Sequence, residues 1–414
     1  MSQGVRGGLT PRRLVAHTLS APPWRRIGAE LATVRMLSYL AGEGWSPVVV
    51  PHSVRWPKGE SARRVAPGVW AASPDLAMSS MPALVYGHVP FVEKARRHAE
   101  QAGAPLVMAA HGGPPGWLAA QVTRAAPDLV VANSKTMAVG LRRTSVPVHV
   151  QRPPVFPEDS DRRGRGAHAG GAVTLVNASE EKGGMLVAQL ARRMPDLRFL
   201  IVTGGYGEQV DVLRSLPNVE VIGHQDDMRA VWACTAVLLV PSVEESWGMV
   251  AVEAMSAGIP VIGSLALGLH ECLGGAMPRL PLNDLAGWQA AIRDALGDGR
   301  ERLHVAALRR AFELDPAAHL RSTHRRFAGL IGWDIPMSAL RYRNVRTGEQ
   351  VDVDPGSPQE RRLERLSLVW EKVADDAPPT PVTGEPDADP SLTLSPPPAP
   401  PKASAKLADW QAYA

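Results

Sequence analysis

Residues 237–262 read VLLVPSVEESWGMVAVEAMSAGIPVI. The apolar run Val237–Val240 is short and unbroken, which predicts a strand buried on both faces. Pro241 and Ser242 end it. A polar loop carries Glu244 and Glu245, a helix is expected from Gly248 to Ala257, and Pro260–Ile262 forms the next strand. Strand, helix, strand in so little chain is the unit of a parallel sheet. Met249, Val250, Val252 and Met255 wrap most of the helix, so it is expected to be largely buried, yet it carries Glu253, eight residues beyond Glu245. Glutamate is rarely buried without a partner. The amide end of a helix attracts phosphate, and a carboxylate near it suits ribose hydroxyls. A glutamate favoured only by the helix dipole accounts for one acid and not for the pair.

The same rhythm extends in both directions. Downstream of residue 171 it gives strand Val173–Val176, helix Gly184–Met194, strands Arg198–Val202 and Val219–Ile222, helix Met228–Trp232, strand Ala236–Val240, and helices after Asn283 and Glu301. Upstream it gives strand Arg13–Leu19, helix Ala29–Leu40, strands Pro47–Val50 and Ala83–Tyr86, helix Val92–Gln101, and strands Leu106–Ala109 and Asp128–Val131. The Gly/Arg/Asp/Ser-rich stretch Pro157–Gly171 between them reads as a linker. The expected fold class is α/β, two Rossmann-like doubly wound domains facing a cleft. The divisions are 1–156, linker 157–171, 172–335, a small module 336–373, and a tail 374–414. In the module, Arg341–Val345 and Glu349–Val353 read as a hairpin around Arg346-Thr347-Gly348, followed by a helix over Gln359–Glu371. Ten prolines in Ala377–Pro401 predict a disordered tail. Its end, Ala403–Ala414 with Trp410 and Tyr413, reads either as a peptide that docks a protein partner or as a terminus with two stray aromatics.

Composition narrows the class. Hydrophobic residues make up 45% of 414, too many for a wholly disordered chain. Two cysteines, Cys234 and Cys272, exclude a disulfide scaffold and a four-cysteine zinc site. No run of about 18 apolar residues occurs, so no membrane-spanning helix is expected, and with no signal peptide the expected compartment is the cytoplasm. Residues 1–170 carry a charge balance of +11 and the rest −7. A basic first half suggests an anionic partner, although the arginines come as scattered pairs such as Arg63-Arg64 and Arg142-Arg143.

The stretch around Glu245 and Glu253 closely resembles the acidic signature of the retaining nucleotide-sugar glycosyltransferases of family four. These enzymes have the B-type two-domain fold, GT-B. Their pattern is Glu, seven residues, Glu, and Pro241, Ser242, Gly248, Ala254, Gly258, Pro260 and Val261 agree around it. The resemblance implies that Glu245 lies by the donor sugar and that Glu253 holds the ribose. Lys182 and Gly183 match the diphosphate-binding Lys-Gly, and Asn177 stands where an arginine is usual. Gly204 and Gly223 resemble the glycines beside the nucleotide. Gly248, Met249 and Val250 begin the donor-binding helix, and Gly268 and Glu271 resemble a loop presenting amides and a glutamate to the donor. In the first domain the match is looser. His111 resembles the active-site histidine that ends a strand, His88 resembles the one before it, and Gly28 stands where a double glycine is common. The resemblance covers residues 12–330 and implies retaining, metal-independent transfer with no cofactor beyond the nucleotide-diphosphate sugar, which is itself the donor substrate. His111, Glu245 and Lys182 are then the candidate catalytic residues.

The acceptor stays open at this level. The segments around Tyr342–Val345 and Arg361–Val373 resemble small modules of actinobacterial phage proteins. With the basic first half, this puts modified phage DNA beside a phosphorylated lipid and a small metabolite as acceptor classes. Two other functions compete: a nucleotide-sugar 2-epimerase, and a non-catalytic sugar-nucleotide or nucleic-acid binding protein on a decayed transferase fold. An NAD enzyme is disfavoured, because no Gly-x-Gly-x-x-Gly turn follows Leu14–Ser20.

Overall fold

The computed structural model describes residues 12–24, 28–156, 171–204, 207–335, 340–345, 350–353 and 370–373. The first sheet comprises β1 (Arg12–Thr18), β2 (Trp45–Pro51), β3 (Ala62–Ala66), β4 (Val69–Ala72), β5 (Leu84–His88), β6 (Leu106–Ala110), β7 (Leu129–Ala132) and β8 (Val148–Val150). Their order is β3-β4-β2-β1-β5-β6-β7-β8. Every neighbouring pair is parallel except β3–β4.

The pleat explains why such short apolar runs suffice. Successive side chains point to opposite faces, so each strand feeds two cores. Leu14, Ala16, Leu84, Tyr86, Val107 and Ala109 face one core with Val34, Leu37 and Leu40 of helix Gly28–Gly42. Val85, Leu106, Met108 and Val130 face the other, against helices Val92–Ala102 and Pro115–Ala125.

The second sheet comprises β9 (Ala172–Val176), β10 (Phe199–Val202), β11 (Val219–Ile222), β12 (Thr235–Val240), β13 (Val261–Ser264) and β14 (Arg279–Leu280). It is parallel throughout, in the order β11-β10-β9-β12-β13-β14. That is the doubly wound Rossmann order, and the expected α/β class with two such sheets about a cleft is the observed one.

One helix departs from the sequence division. Ala317–Leu330 was expected to pack with residues 172–335, but its Leu320, Phe327 and Ala328 sit in the first sheet's core beside Leu14 and Tyr86. The chain thus returns to the first domain, where the Arg12 guanidinium lies 3.7 Å from the Trp333 ring centroid.

A small antiparallel sheet follows, with β15 (Leu340–Asn344) between β16 (Gln350–Val353) and β17 (Trp370–Val373). The hairpin expectation fits β15 and β16, although its turn lies outside the described residues. Of the helix expected over Gln359–Glu371, only residues 370 and 371 are described, and they belong to a strand that pairs with β15. Of the expected linker 157–171 only Gly171 is described, and the tail 374–414, with the docking peptide expected at its end, lies outside the described residues.

At the carboxyl end of β1, His17 is fully buried in a chain of three histidines. Its Nδ1 lies 3.0 Å from His52 Nε2 and its Nε2 lies 3.1 Å from His98 Nδ1. His98 Nε2 is 3.1 Å from the Ser80 carbonyl, which only accepts. With all three rings neutral, that carbonyl sets every tautomer along the chain. Burial, then His52, His98 and Lys94, push the His17 pKa down to about 3, and burial and Lys94 push that of His52 to about 4. The linkage has a definite sign. The folded protein keeps the His17 and His52 rings neutral, whereas the unfolded chain protonates them near pH 6.5. Their stabilisation is complete above about pH 6.5 and falls as the pH drops toward the folded values. Urea unfolding at a series of pH values is expected to lose up to about 1.4 kcal/mol per pH unit from His17 between pH 6 and 4. A His17→Gln variant should flatten that slope.

Candidate active site

Open α/β sheets place their sites at the carboxyl ends of strands, where the strand order reverses. In the second sheet that point lies between β9 and β12. The turn after β9 carries Asn177 and Lys182, and the loop after β12 carries Ser242 and Glu245. In the first sheet it lies between β1 and β5, with helix Gly28–Gly42 above. The two switch points face a cavity of about 1090 Å³ between the domains. From the second domain, Asn177, Lys182, Gly204, Glu245, Gly248, Met249, Val250 and Glu253 line it, and Gly28 and Arg35 line it from the first.

All three carboxylates singled out in the sequence have a basic partner. Lys182 Nζ donates to Glu245 Oε2 at 2.6 Å, and Ser242 Oγ donates to the same oxygen at 3.3 Å. The expected helix carrying Glu253 is Met249–Ser256, and the carboxylate is only 13% exposed. Its partner comes from the other domain: Arg35 NH1 donates to Glu253 Oε1 at 3.2 Å and to the Pro154 carbonyl at 3.3 Å.

Glu271 was expected to face the donor, but it does not line the cavity. It accepts from Arg152 Nε and NH2 at 3.1 and 3.0 Å and from the backbone amides of Lys135 and Thr136 at 2.7 and 3.3 Å, clasping the two domains together. Arg152 also lies 5.2 Å from the Trp247 ring centroid. Nothing in the local sequence around Arg35 or Arg152 signalled these roles, since each partner lies more than a hundred residues away.

The glycines divide by what they do. Gly183 has φ +82°, and a Cβ there would lie 2.4 Å from the Pro241 carbonyl oxygen, so it permits the close approach of the β9 and β12 turns. Gly268 N–H is taken by the Glu245 carbonyl at 2.9 Å, so this amide supports the loop and is not presented to a donor. Neither Gly183 nor Gly268 lines the cavity, and neither does Gly223. At Gly28 a Cβ would meet nothing within 4 Å, so no protein contact demands glycine there.

Asn177 has φ +63°, a left-handed position that asparagine tolerates better than arginine. Its Oδ1 accepts from Gln209 Nε2 at 2.9 Å and from Ser179 N at 3.3 Å. Much of its hydrogen bonding therefore holds the turn.

His111 follows β6 and is outside the cavity lining. Burial pushes its pKa down to about 4, so the ring is neutral at physiological pH. His88, at the end of β5, is buried against Thr33 Oγ1 at 2.8 Å and lies 4.7 Å from His111 between ring centroids. Burial holds it, too, well below the usual histidine range. Among the described residues, no group of three or more His, Cys, Asp or Glu is arranged to hold a metal ion, and no helix is long and apolar enough to cross a membrane.

Residues 184–298 match the family model "Glycosyl transferases group 1". A D-inositol 3-phosphate glycosyltransferase of Mycobacterium sp. (strain KMS) is 28% identical over 142 residues, 30% of this chain and 32% of that protein. The 2-deoxystreptamine N-acetyl-D-glucosaminyltransferase of Streptomyces fradiae is 39% identical over 85 residues, 20% of each chain. The first of these matches thus spans about a third of the relative's length. Structural similarity is broader. Sucrose-phosphate synthase from Thermosynechococcus elongatus superposes with TM-score 0.64 at 16% identity, covering 78% of this chain and all of that one. Anabaena HepE in complex with UDP and glucose gives 0.60 at 15% identity, over 77% of this chain and 100% of that one. The chain has the GT-B fold, and within its second domain residues 184–298 are similar to the group 1 glycosyl transferases.

Proposed function

We propose that this protein moves a glycosyl group from a nucleotide-diphosphate sugar to an acceptor hydroxyl with retention of anomeric configuration. The observation that carries the reading is the Lys182–Glu245 pair at 2.6 Å, set beside Glu253 at the switch point of a cavity large enough for a sugar nucleotide. A sugar nucleotide brings its own leaving group, so the protein must neutralise the departing diphosphate and place the acceptor oxygen. Lys182 supplies that charge, Glu245 orients donor hydroxyls, and Glu253 turns from Arg35 to the ribose. Attack on the face from which the diphosphate leaves retains configuration without a covalent enzyme intermediate. HepE, which shares the fold, was solved with UDP and glucose, and both curated relatives are named for glycosyl transfer.

The cavity wall also bears on the acceptor. Among the described residues that the first domain contributes, Arg35 is the one cation, and it is engaged by Glu253. The rest are mainly apolar, including Leu31, Val34, Val65 and Phe156. Duplex DNA needs many phosphate contacts, so this wall favours a compact acceptor with an apolar face over modified phage DNA.

A panel of UDP-, GDP-, ADP- and TDP-sugars, scored by thermal stabilisation, tests the reading. At 100 times its Kd the true donor is expected to stabilise the fold by about 2.7 kcal/mol. Glu253→Ala is expected to remove that gain. If no sugar nucleotide stabilises the protein, or if the product is an epimerised sugar nucleotide, the assignment fails.

A further inference from the structure

We propose that Asn133 binds the transferred sugar, its buried side-chain oxygen accepting from a sugar hydroxyl beside Glu245, next to His111, the histidine that the family resemblance already places in the active site. This rests on the glycosyl-transfer reading above. Asn133 follows β7 and is 4% exposed. Its Nδ2 donates to the His111 carbonyl at 3.0 Å and, across the domain junction, to Ser246 Oγ at 2.8 Å. A carbonyl only accepts, so the first contact fixes which way the amide points and leaves Oδ1 for something else. That oxygen is buried without a hydrogen-bond partner, and so is His111 Nε2.

A buried polar atom without a partner is uncommon and costly. Here two occur on residues joined by a hydrogen bond, next to Ser246, which directly follows Glu245 in the loop after β12. Packing alone does not require this arrangement, since an apolar side chain of similar size would fill the space without stranding an acceptor. The chemistry of the pair selects the ligand. Asn133 Oδ1 needs a donor and would repel phosphate oxygens. The neutral His111 ring offers either a donor or an acceptor according to tautomer. Adjacent hydroxyls of a pyranose, each both donor and acceptor, satisfy both atoms together. Both atoms lie outside the lining of the cavity, so the sugar reaches them as the Asn133–Ser246 bond opens.

The test is titration calorimetry on the full chain with UDP, GDP, ADP and TDP and with their glucose, galactose, mannose and N-acetylglucosamine conjugates. For the nucleotide that binds the wild type, Asn133→Ala is expected to weaken sugar-nucleotide affinity about tenfold relative to the bare diphosphate. Ser246→Ala, which removes only the cross-domain bond, should shift that ratio less than about twofold. Asn133→Asp, which keeps an accepting oxygen, should fall between them and serves if the alanine variant fails to fold. Equal loss for bare and sugar-bearing nucleotide in Asn133→Ala, or the same ratio shift in Ser246→Ala, would reduce Asn133 to a structural bridge and overturn the subsite. A wild type that binds no nucleoside diphosphate overturns the glycosyl-transfer reading and the subsite with it. One that binds the diphosphates but binds none of the four sugar conjugates more tightly than the bare diphosphate overturns the subsite alone.

Discussion

Replacing Lys182 with alanine is expected to lower turnover by about 10²–10³-fold, the usual cost of removing one preorganised group that stabilises charge in the transition state. The lysine stands 2.6 Å from Glu245 in a site where both side chains are about one-sixth exposed. Low exposure strengthens its field at the departing diphosphate. Removing it also brings the carboxylate and the diphosphate together with nothing between them. Because this charge matters most as the bond breaks, the loss should appear in kcat as well as in kcat/KM. Steady-state rates of transfer or donor hydrolysis, with circular dichroism to verify folding, would check this. A loss below about tenfold would mean that the leaving charge is carried elsewhere.

Gly268→Ala is expected to damage both the fold and the reaction, for a steric reason. A Cβ at this position would lie 2.2 Å from the Glu245 carbonyl oxygen and 2.5 Å from the Ser246 carbonyl carbon. These are backbone atoms, with no flexible side chain to yield. The substitution must push the loop after β12 away, breaking the 2.9 Å Gly268 N–Glu245 O bond. Overpacking of this kind costs about 1–3 kcal/mol or more. Displacing Glu245 by as little as about 1 Å should cost a further 10²-fold in rate. Thermal unfolding and turnover measured on the same preparation separate the two effects. Gly28→Ala is the steric control: nothing lies within 4 Å of its Cβ, so stability should stay within about 0.5 kcal/mol of the parent.

The strand–helix–strand unit of residues 237–262 was readable because it is local: a buried strand announces itself in four consecutive apolar residues, and the acidic pair lies within a single loop and helix. The Lys182-Gly183 turn was readable for the same reason. The β3–β4 hairpin was not, since Arg63 and Arg64 sit on an edge strand that buries little and so shows no apolar run. The sequence by itself therefore determined the two sheets and which acids and lysine gather at one strand edge. Only the tertiary structure decided what those groups face. It brought Arg35 to Glu253 across 218 residues, turned Glu271 toward Arg152 across 119, and carried helix Ala317–Leu330 back to the first core. Hydrophobic periodicity reports which face of an element is buried, but not which element covers it. Contacts between domains depend on how two finished sheets dock, and that is a property of their combined surfaces.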